Sequence, residues 1–147
     1  MNEQPTLDLT NFFPYQFSIL AQQMSEYLAT IYKKQHGLSK FEWRVLATVA
    51  QCRSVSATGI MEVTRLDKMQ VSRAISKLKS QNILVQTPST TDKRANDVEL
   101  TALGNELYQT IVPLIKRQEA KLLAHLSAQE REQLIMITQK LSRALDA

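Results

Sequence analysis

Apolar residues recur every three or four positions along most of this chain, which is the spacing of one face of an α-helix. The first long stripe should begin near Pro14 and end near Gly37, and it contains Phe17, Leu20, Met24, Leu28 and Ile31. A second long stripe follows Thr101, and a third follows Ser127. Because the chain has only three Gly and four Pro among its 147 residues, we predict a mainly α-helical fold.

Two helix starts have the spacing of a capping box, namely Ser39 with Glu42 and Ser127 with Glu130. In a capping box the serine hydroxyl accepts a hydrogen bond from the amide three residues later, and the glutamate side chain returns to the serine amide. The helix that follows Ser39 has an apolar face made of Phe41, Val45, Leu46 and Val49. Both boxes therefore predict where a helix begins.

Residues 66–85 predict one helix followed by the start of a strand, and the helix is apolar on one side and mostly polar or cationic on the other. The apolar stripe contains Val71, Ile75 and Leu78. The opposite side carries Met69, Arg73, Ser76, Lys77 and Ser80. Asp67 can accept hydrogen bonds from the free amides at the helix start, and Asn82 tolerates the left-handed conformation that ends a helix. We therefore predict a helix over about residues 67–81.

The elements on either side of this helix predict a winged helix-turn-helix over residues 38–100. A brief helix from Ser56 and a short joint precede it, as in the unit that places its second helix in the DNA major groove. Residues 83–86 and 97–100 are β-prone, and the polar loop between them contains Pro88, Asp92, Lys93 and Arg94. Two strands joined by a loop with cations at its tip form a wing, which we place at residues 87–97.

Positive charge is concentrated in the same part of the chain. Residues 65–94 contain seven Lys and Arg but two Asp, whereas the whole chain has a net charge of +4. The remainder is therefore slightly negative. A local cationic surface is the electrostatic footprint expected for binding nucleic-acid phosphates, although a solvated surface helix is the simpler alternative for the helix alone.

The sequence contains no residue arrangement typical of an enzyme. It has no glycine-rich phosphate loop, no serine nucleophile elbow and no suggestively spaced pair of acids. His36 and His125 are the two histidines and lie far apart in sequence, so no metal site is expected. We expect neither catalysis nor a bound cofactor.

Cysteine content and hydropathy favour a cytoplasmic location without a membrane partner. Cys52 is the single cysteine, which excludes an intrachain disulfide. No stretch approaches the about 20 apolar residues of a membrane span, and the N-terminal residues lack the cationic region of a secretory signal. A redox sensor at Cys52 is one alternative, but a small buried or inert thiol is the expectation.

Four stretches between Leu38 and Gly104 combine in a recognisable way. They are LSKFEWRVLATVA, MQVSRAISKLKSQNIL, the DKR of the loop, and VELTALG. This combination resembles the MarR family of bacterial transcription regulators. The Asp-x-Arg wing followed by Leu-Thr-x-x-Gly is the most specific part, and the flanking helices match in length and apolar pattern.

The resemblance implies a homodimer that binds double-stranded DNA. The flanking segments, residues 1–37 and 101–147, would interlock two chains as a dimerisation body. By motif position, the residues that would face the major groove are Lys68, Gln70, Ser72, Arg73 and Lys77. The wing would contribute Lys93 and Arg94, with Arg94 entering the minor groove and Asp92 orienting its guanidinium.

The predicted function is sequence-specific transcription regulation at a pseudo-palindromic operator, with repression as the expected direction. Members of the resembled family release DNA when small phenolic or lipophilic compounds bind, which leaves an aromatic or lipophilic effector open here. The alternative function is a winged-helix module that binds protein and not nucleic acid.

An aromatic cluster near the N-terminus allows two interpretations. It consists of Phe12, Phe13, Tyr15 and Phe17. A lone helix cannot hide this much apolar surface, so the cluster packs either into the core of its own chain or against a partner chain. A third use, as the wall of a ligand pocket, is less favoured than the core.

Overall fold

The structure is a computed structural model, and it describes residues 4–89 and 96–147. These residues form six α-helices and three β-strands. In chain order the elements are α1 (Phe13–Tyr32), α2 (Lys40–Cys52), β1 (Val55–Ser56), α3 (Ala57–Thr64), α4 (Lys68–Ser80), β2 (Leu84–Pro88), β3 (Asn96–Leu100), α5 (Ala102–Leu123) and α6 (Ala128–Asp146). The prediction of a mainly α fold is confirmed. None of these helices has both the length and the apolar content that a membrane crossing requires.

The strands form one antiparallel sheet in the order β1-β3-β2. β2 and β3 are the two predicted wing strands, and Pro88 pairs with Asn96 at the end nearest the wing tip. The third strand, β1, was not predicted; it lies between α2 and α3, and its Val55 pairs with Val98. A strand of two residues has no periodicity of its own, so the sequence pattern could not indicate it.

The core of the described chain lies in the predicted winged helix-turn-helix. Its largest fully buried side chains are Leu38, Leu46, Ile60, Leu78, Ile111, Val45, Val49, Val71 and Val98. All but Ile111 fall within residues 38–100. One apolar core is therefore shared by α2, α3, α4 and β3, and its removal from water is the main term that stabilises this unit.

α1 has Pro14 in its first turn, as predicted, but it ends earlier than expected. Its last residue is Tyr32, and the chain turns before Gly37, whose φ is +68°. The Leu38 amide donates to the Tyr32 carbonyl over 2.9 Å, and Leu38 is buried in the core. Burial of Leu38 thus turns the chain inward, which the apolar spacing of α1 cannot show.

The two predicted capping boxes differ in the structure. At α6 the box is complete, and the hydrogen bond from the Ser127 amide helps to hold the pKa of the Glu130 carboxyl below its ordinary value. At α2 the Ser39 hydroxyl accepts from the Glu42 amide over 3.1 Å. The Glu42 carboxylate, however, accepts the Ser39 hydroxyl and not its amide. The prediction of a full box at α2 is therefore wrong.

Aromatic and amide contacts join α1, α2 and α5. Trp43 of α2 lies between Tyr32 of α1 and Tyr108 of α5, with ring centroids 6.0 and 6.2 Å away. Gln118 Nε2 of α5 also donates to the Tyr27 carbonyl of α1 over 3.2 Å. These contacts fix two long helices relative to the winged helix-turn-helix.

α6 contains no buried residue. Beyond its capping box, its polar contacts with the described part of the chain include one from Arg131 Nε to the Leu123 carbonyl (2.9 Å) and one between Arg65 and Asp146 (3.4 Å). Its exposed apolar residues are Leu134, Ile135, Met136, Ile137, Leu141 and Leu145. The apolar face predicted for this helix exists, but within its own chain it remains in water.

The aromatic cluster at the start of α1 is exposed as well. Phe12, Phe13, Tyr15 and Phe17 keep between 36% and 54% of their surface accessible. The interpretation in which they pack into their own core is therefore wrong. Together with α6 they form an extended apolar surface, which in soluble proteins marks a contact with another molecule.

Cys52 is the last residue of α2 and is exposed. The expectation of a buried thiol is therefore wrong, whereas chemical inertness stays a prediction.

Candidate nucleic-acid interface

The joint between α3 and α4 consists of three residues with distinct roles. Arg65 adopts a left-handed conformation with φ of +60° and ends α3. Leu66 is 8% exposed and anchors the joint in the core, and its amide donates to the Thr64 hydroxyl over 3.2 Å. Asp67 then begins α4. The predicted helix-turn-helix with a short joint is confirmed.

The start of α4 is held by a complete capping box. The Asp67 side chain accepts from the Gln70 amide over 2.8 Å, and Gln70 Oε1 accepts from the Asp67 amide over 3.0 Å. The predicted role of Asp67 is thus confirmed. Gln70, which was expected to face DNA, has its side-chain oxygen engaged in this box, so its amide NH2 group is the part left for another partner.

The end of α4 is fixed by Asn82, as predicted. Asn82 has φ of +60°, its amide donates to the Lys79 carbonyl over 3.0 Å, and the Ile83 amide donates to the Leu78 carbonyl over 2.9 Å. This pair of bonds is the Schellman motif, which satisfies carbonyls that a helix end would otherwise leave free. α4 therefore has a defined length and a defined exit into β2.

The two sides of α4 face different environments. Val71, Ala74, Ile75 and Leu78 are at most 4% exposed and seat the helix on the core. The opposite side is exposed and carries Met69, Ser72, Arg73, Ser76 and Ser80. A helix held on one side and capped at both ends presents a rigid polar surface, as reading of base edges requires.

Three of the residues predicted to face DNA lie on this surface without a polar partner. Lys68, Ser72 and Arg73 are exposed, and within residues 4–89 and 96–147 none of them forms a hydrogen bond or an ion pair. Their donors are therefore available to a ligand. Contact with DNA stays a prediction for all three.

Lys77 occupies a different position, at the edge of α4 that faces α2. Its Nζ lies 3.9 Å from Oε1 of Glu42, and its side chain is 57% exposed. The second oxygen of Glu42 accepts the Ser39 hydroxyl over 2.6 Å. Glu42 Oε1 is buried and has no hydrogen-bond partner in the described part of the chain, so Lys77 is the charge that compensates it.

Lys79 is a cation that sequence reasoning did not assign to the site. Its Nζ donates to Gln86 Oε1 of β2 over 2.7 Å, and both side chains are solvent-accessible. This bond joins the last turn of α4 to the first wing strand. In the sequence, Lys79 shows only its charge, which does not distinguish a lysine that bonds to a neighbouring strand from one that contacts DNA.

The base of the wing is anchored to the start of α5. The Thr101 hydroxyl donates to the Asn82 carbonyl and accepts from the Gly104 amide over 3.0 Å. A Cβ atom at Gly104 would overlap the Ile83 carbonyl oxygen. Thr101 and Gly104 thus hold the start of α5 close to the segment that joins α4 to the wing.

The wing tip carries the remaining predicted site residues. Asp92, Lys93 and Arg94 lie outside the described residues, so their roles stay predictions. The hairpin that supports the tip is described up to Ser89 and from Asn96 onwards. Its base lies beside the end of α4, because Ile83 leads directly into β2 and Lys79 is bonded to Gln86.

Together, the capped and exposed helix, its three-residue joint and the β-hairpin define a winged helix-turn-helix protein of the DNA-binding class. The family model described as "MarR family" matches residues 36–95. The HTH-type transcriptional regulator YkoM of Bacillus subtilis is 30% identical over 73% of this chain and 70% of its own. The transcriptional repressor MdtR of the same species is 26% identical over 77% of this chain and 73% of its own.

Solved structures share the whole architecture. A MarR/EmrR family transcriptional regulator from Acinetobacter sp. ADP1 superposes with a TM-score of 0.85 at 26% identity, over 95% of this chain and 99% of the other. MarR C80S of E. coli, complexed with operator DNA, has the same fold with a TM-score of 0.79 at 18% identity, over 88% and 92% of the chains.

The chain belongs to the MarR family. It is a DNA-binding transcription regulator of that family and not an enzyme. Family membership therefore favours DNA binding over the alternative function, a winged-helix module that binds only protein.

Proposed function

We propose that two copies of this chain form a homodimer that binds a pseudo-palindromic operator and represses transcription. Each chain places α4 in a major groove and its wing, residues 87–97, in the adjoining minor groove. The observation that carries this proposal is the exposed face of α4 on a helix fixed at both ends. It bears Arg73, Ser72 and Lys68, whose side chains have no polar partner among the residues that the structure describes.

The proposed contacts divide by chemistry. Arg73 presents a guanidinium that can bind a guanine edge or a phosphate in a bidentate manner. Lys68 and Lys77 are point charges suited to phosphates, and the Ser72 hydroxyl and the Gln70 amide supply further donors. For the wing, the sequence supports Lys93 and Arg94 as minor-groove cations and Asp92 as the group that orients Arg94.

The exposed apolar surface supports the homodimer. An open cavity of about 900 Å³ lies between the start of α1 and the end of α6, and its walls include Phe13, Phe17, Leu141 and Leu145. An apolar surface of this extent is costly in water. A second copy of the same segments, residues 1–37 and 101–147, would cover it across a two-fold axis, in the self-complementary manner of most homodimers.

The two-fold axis sets the form of the operator. Paired recognition helices of a dimer read half-sites about one helical turn apart, roughly 34–36 Å. The contacts of α1 and α5 with α2 described above connect the proposed dimer body to the reading unit. The spacing of the two copies of α4 is therefore set by the dimer interface.

Repression and release by a ligand are the finer parts of the proposal. Repression is supported by the similarity to MdtR, which is named a repressor. Release is supported by a cavity of about 580 Å³ between α1 and α2. Its lining includes the aromatic rings of Tyr32 and Phe41 and the cations Lys33, Lys40 and Arg44, which suits a small aromatic effector.

Selection of binding sites followed by titration tests the proposal. The full chain should enrich a pseudo-palindrome from a randomised duplex library, and its affinity for that duplex should fall steeply with salt as counterions are released. Arg73→Ala should weaken binding by at least about 10-fold to 100-fold, the range for one bidentate contact, because the proposed dimer loses this contact in both half-sites.

Arg117→Ala is the matched control for loss of one exposed arginine, because Arg117 lies on α5 outside the helix-turn-helix, and size-exclusion chromatography verifies that this variant still forms the proposed dimer. Its affinity should equal that of the wild type. Binding that does not respond to salt, or equal losses for the two arginine variants, would contradict the proposal.

A further inference from the structure

Met69 is an exposed apolar side chain in the first turn of α4. It keeps 60% of its surface accessible and lies on the side of the helix opposite Val71, Ile75 and the core. Sequence reasoning assigned it no role. It nonetheless lies on the face that the proposed function turns toward DNA.

The surroundings of Met69 do not suit a protein contact. Its neighbours on the helix surface are Lys68, Gln70, Ser72 and Arg73, which are charged or polar. Burying the methionine against an apolar protein surface would remove these groups from water as well, and unpaired charges and donors are costly to bury. An isolated apolar group within a ring of donors matches a surface that is itself mainly polar and anionic.

The major groove of DNA offers one apolar group at its base edges, the C5-methyl of thymine. The residues at the N-terminal end of a recognition helix are those that contact base edges. Methionine is unbranched and polarizable, so it adapts to a small apolar group without a fixed geometry. Its polar neighbours would at the same time meet phosphates and the polar atoms of adjacent bases.

We propose that Met69 packs against a thymine methyl group in each half-site and thereby makes thymine the preferred base at that position. This inference rests on the proposed function, because it requires α4 to lie in the major groove. It assigns to Met69 a preference for thymine, which neither a guanine contact of Arg73 nor the phosphate contacts of the lysines of α4 would supply.

Replacement of thymine by deoxyuridine tests the proposal, because it removes the methyl group and leaves every hydrogen-bonding group in place. The probe is the duplex selected by the wild-type chain, with each thymine replaced in turn. Replacement at the contacted position of a single half-site should weaken wild-type binding about fourfold, the factor expected for burying one methyl group. Replacement in both half-sites should weaken it about 16-fold if the two act independently.

Three variants separate this contact from a general effect on the helix. Met69→Gln should bind the thymine and deoxyuridine duplexes equally, whereas Met69→Leu should restore most of the difference. Val63→Gln is the matched control, because Val63 is 55% exposed on the neighbouring α3. It should keep the wild-type ratio of affinities for the two duplexes. The melting temperature of each variant verifies that it is folded.

The outcomes distinguish the two levels of the proposal. If the wild type binds the selected duplex but no deoxyuridine replacement weakens it, or if Met69→Gln retains the loss, the role of Met69 is contradicted while the proposed function stands. If the chain selects no sequence at all, both are contradicted.

Discussion

Glu42 brings a buried negative charge to the edge of the helix that we propose reads DNA. One of its oxygens accepts the Ser39 hydroxyl, and the other has Lys77 as its compensating charge at 3.9 Å. Because the Lys77 side chain is 57% exposed, water screens the pair and its net contribution to stability is small. Its larger consequence concerns binding, since a lysine that faces a carboxylate is less available to a phosphate.

We therefore expect Glu42→Gln to strengthen operator binding by about twofold to fivefold, the range set by the energy of an exposed ion pair. The amide keeps the shape of the side chain and its acceptor for Ser39 but removes the charge that competes for Lys77. The measurement is a titration of the selected duplex at several salt concentrations.

Lys77→Met provides the control for this effect. In a Lys77→Met background, Glu42→Gln should leave the affinity unchanged, because no lysine remains to be released. An equal gain in both backgrounds would show that Glu42 acts on DNA through another route.

Local residues could be assigned from sequence where their partners are local. Asp67 and Asn82 fix the ends of α4 through bonds to amides and carbonyls within a few residues, and both were predicted. Glu42 also lies near Lys77 of α4, a partner that is distant in sequence and that no local pattern indicates. The exposure of Phe13 and Phe17 depends on what the rest of the chain leaves uncovered, which no short pattern contains.

At the scale of elements, the junction after α4 brings two backbone segments into close contact. The Leu-Thr-x-x-Gly motif places Thr101 at the N-cap of α5 and Gly104 against Ile83. Glycine is required at this position because a Cβ atom would overlap the Ile83 carbonyl oxygen. That oxygen belongs to the backbone, so no side-chain rotation can move it away. The motif is thus a structural joint between the reading unit and the proposed dimer body.

Gly104→Ala should lower the free energy of unfolding by about 2 kcal/mol or more, the cost of inserting a methyl group where the backbone must shift. Urea unfolding at a fixed protein concentration measures it, because the stability of a dimer depends on concentration. Asn105→Ala, at an exposed position one residue further along α5, should stay within about 0.5 kcal/mol of the wild type. Equal stability of Gly104→Ala and the wild type would contradict the tight joint.

The periodic elements could be predicted, and the contacts between them could not. The long helices and both wing strands follow from apolar spacing, and the apolar stripe of α5 runs through Pro113, which lies inside the helix. β1 could not be predicted because its two residues are a strand only through pairing with β3. The bond from Lys79 to Gln86 could not be predicted either, because it depends on the direction in which the chain runs from α4 into β2.

At the scale of the molecule, the chain contains one well-packed unit and two sets of helices that are not fully covered. The fully buried side chains lie almost entirely in residues 38–100, whereas α6 buries none. Sequence reasoning left open whether the N-terminal aromatic residues pack within the chain or against a partner. Their exposure contradicts packing within the chain and supports packing against a partner. In the proposed homodimer, this packing would hold the two winged helix-turn-helix units at a fixed separation.

The most direct test of this arrangement is the affinity of the full chain for the selected duplex after about five base pairs, half a helical turn, are inserted between its half-sites. The insertion keeps every base that each reading unit contacts but turns one half-site to the opposite side of the DNA. We predict a loss of at least about 100-fold, because a dimer of fixed geometry then engages one half-site and forfeits several base contacts. Unchanged affinity for the lengthened duplex would contradict the proposal that two copies of α4 are held one helical turn apart.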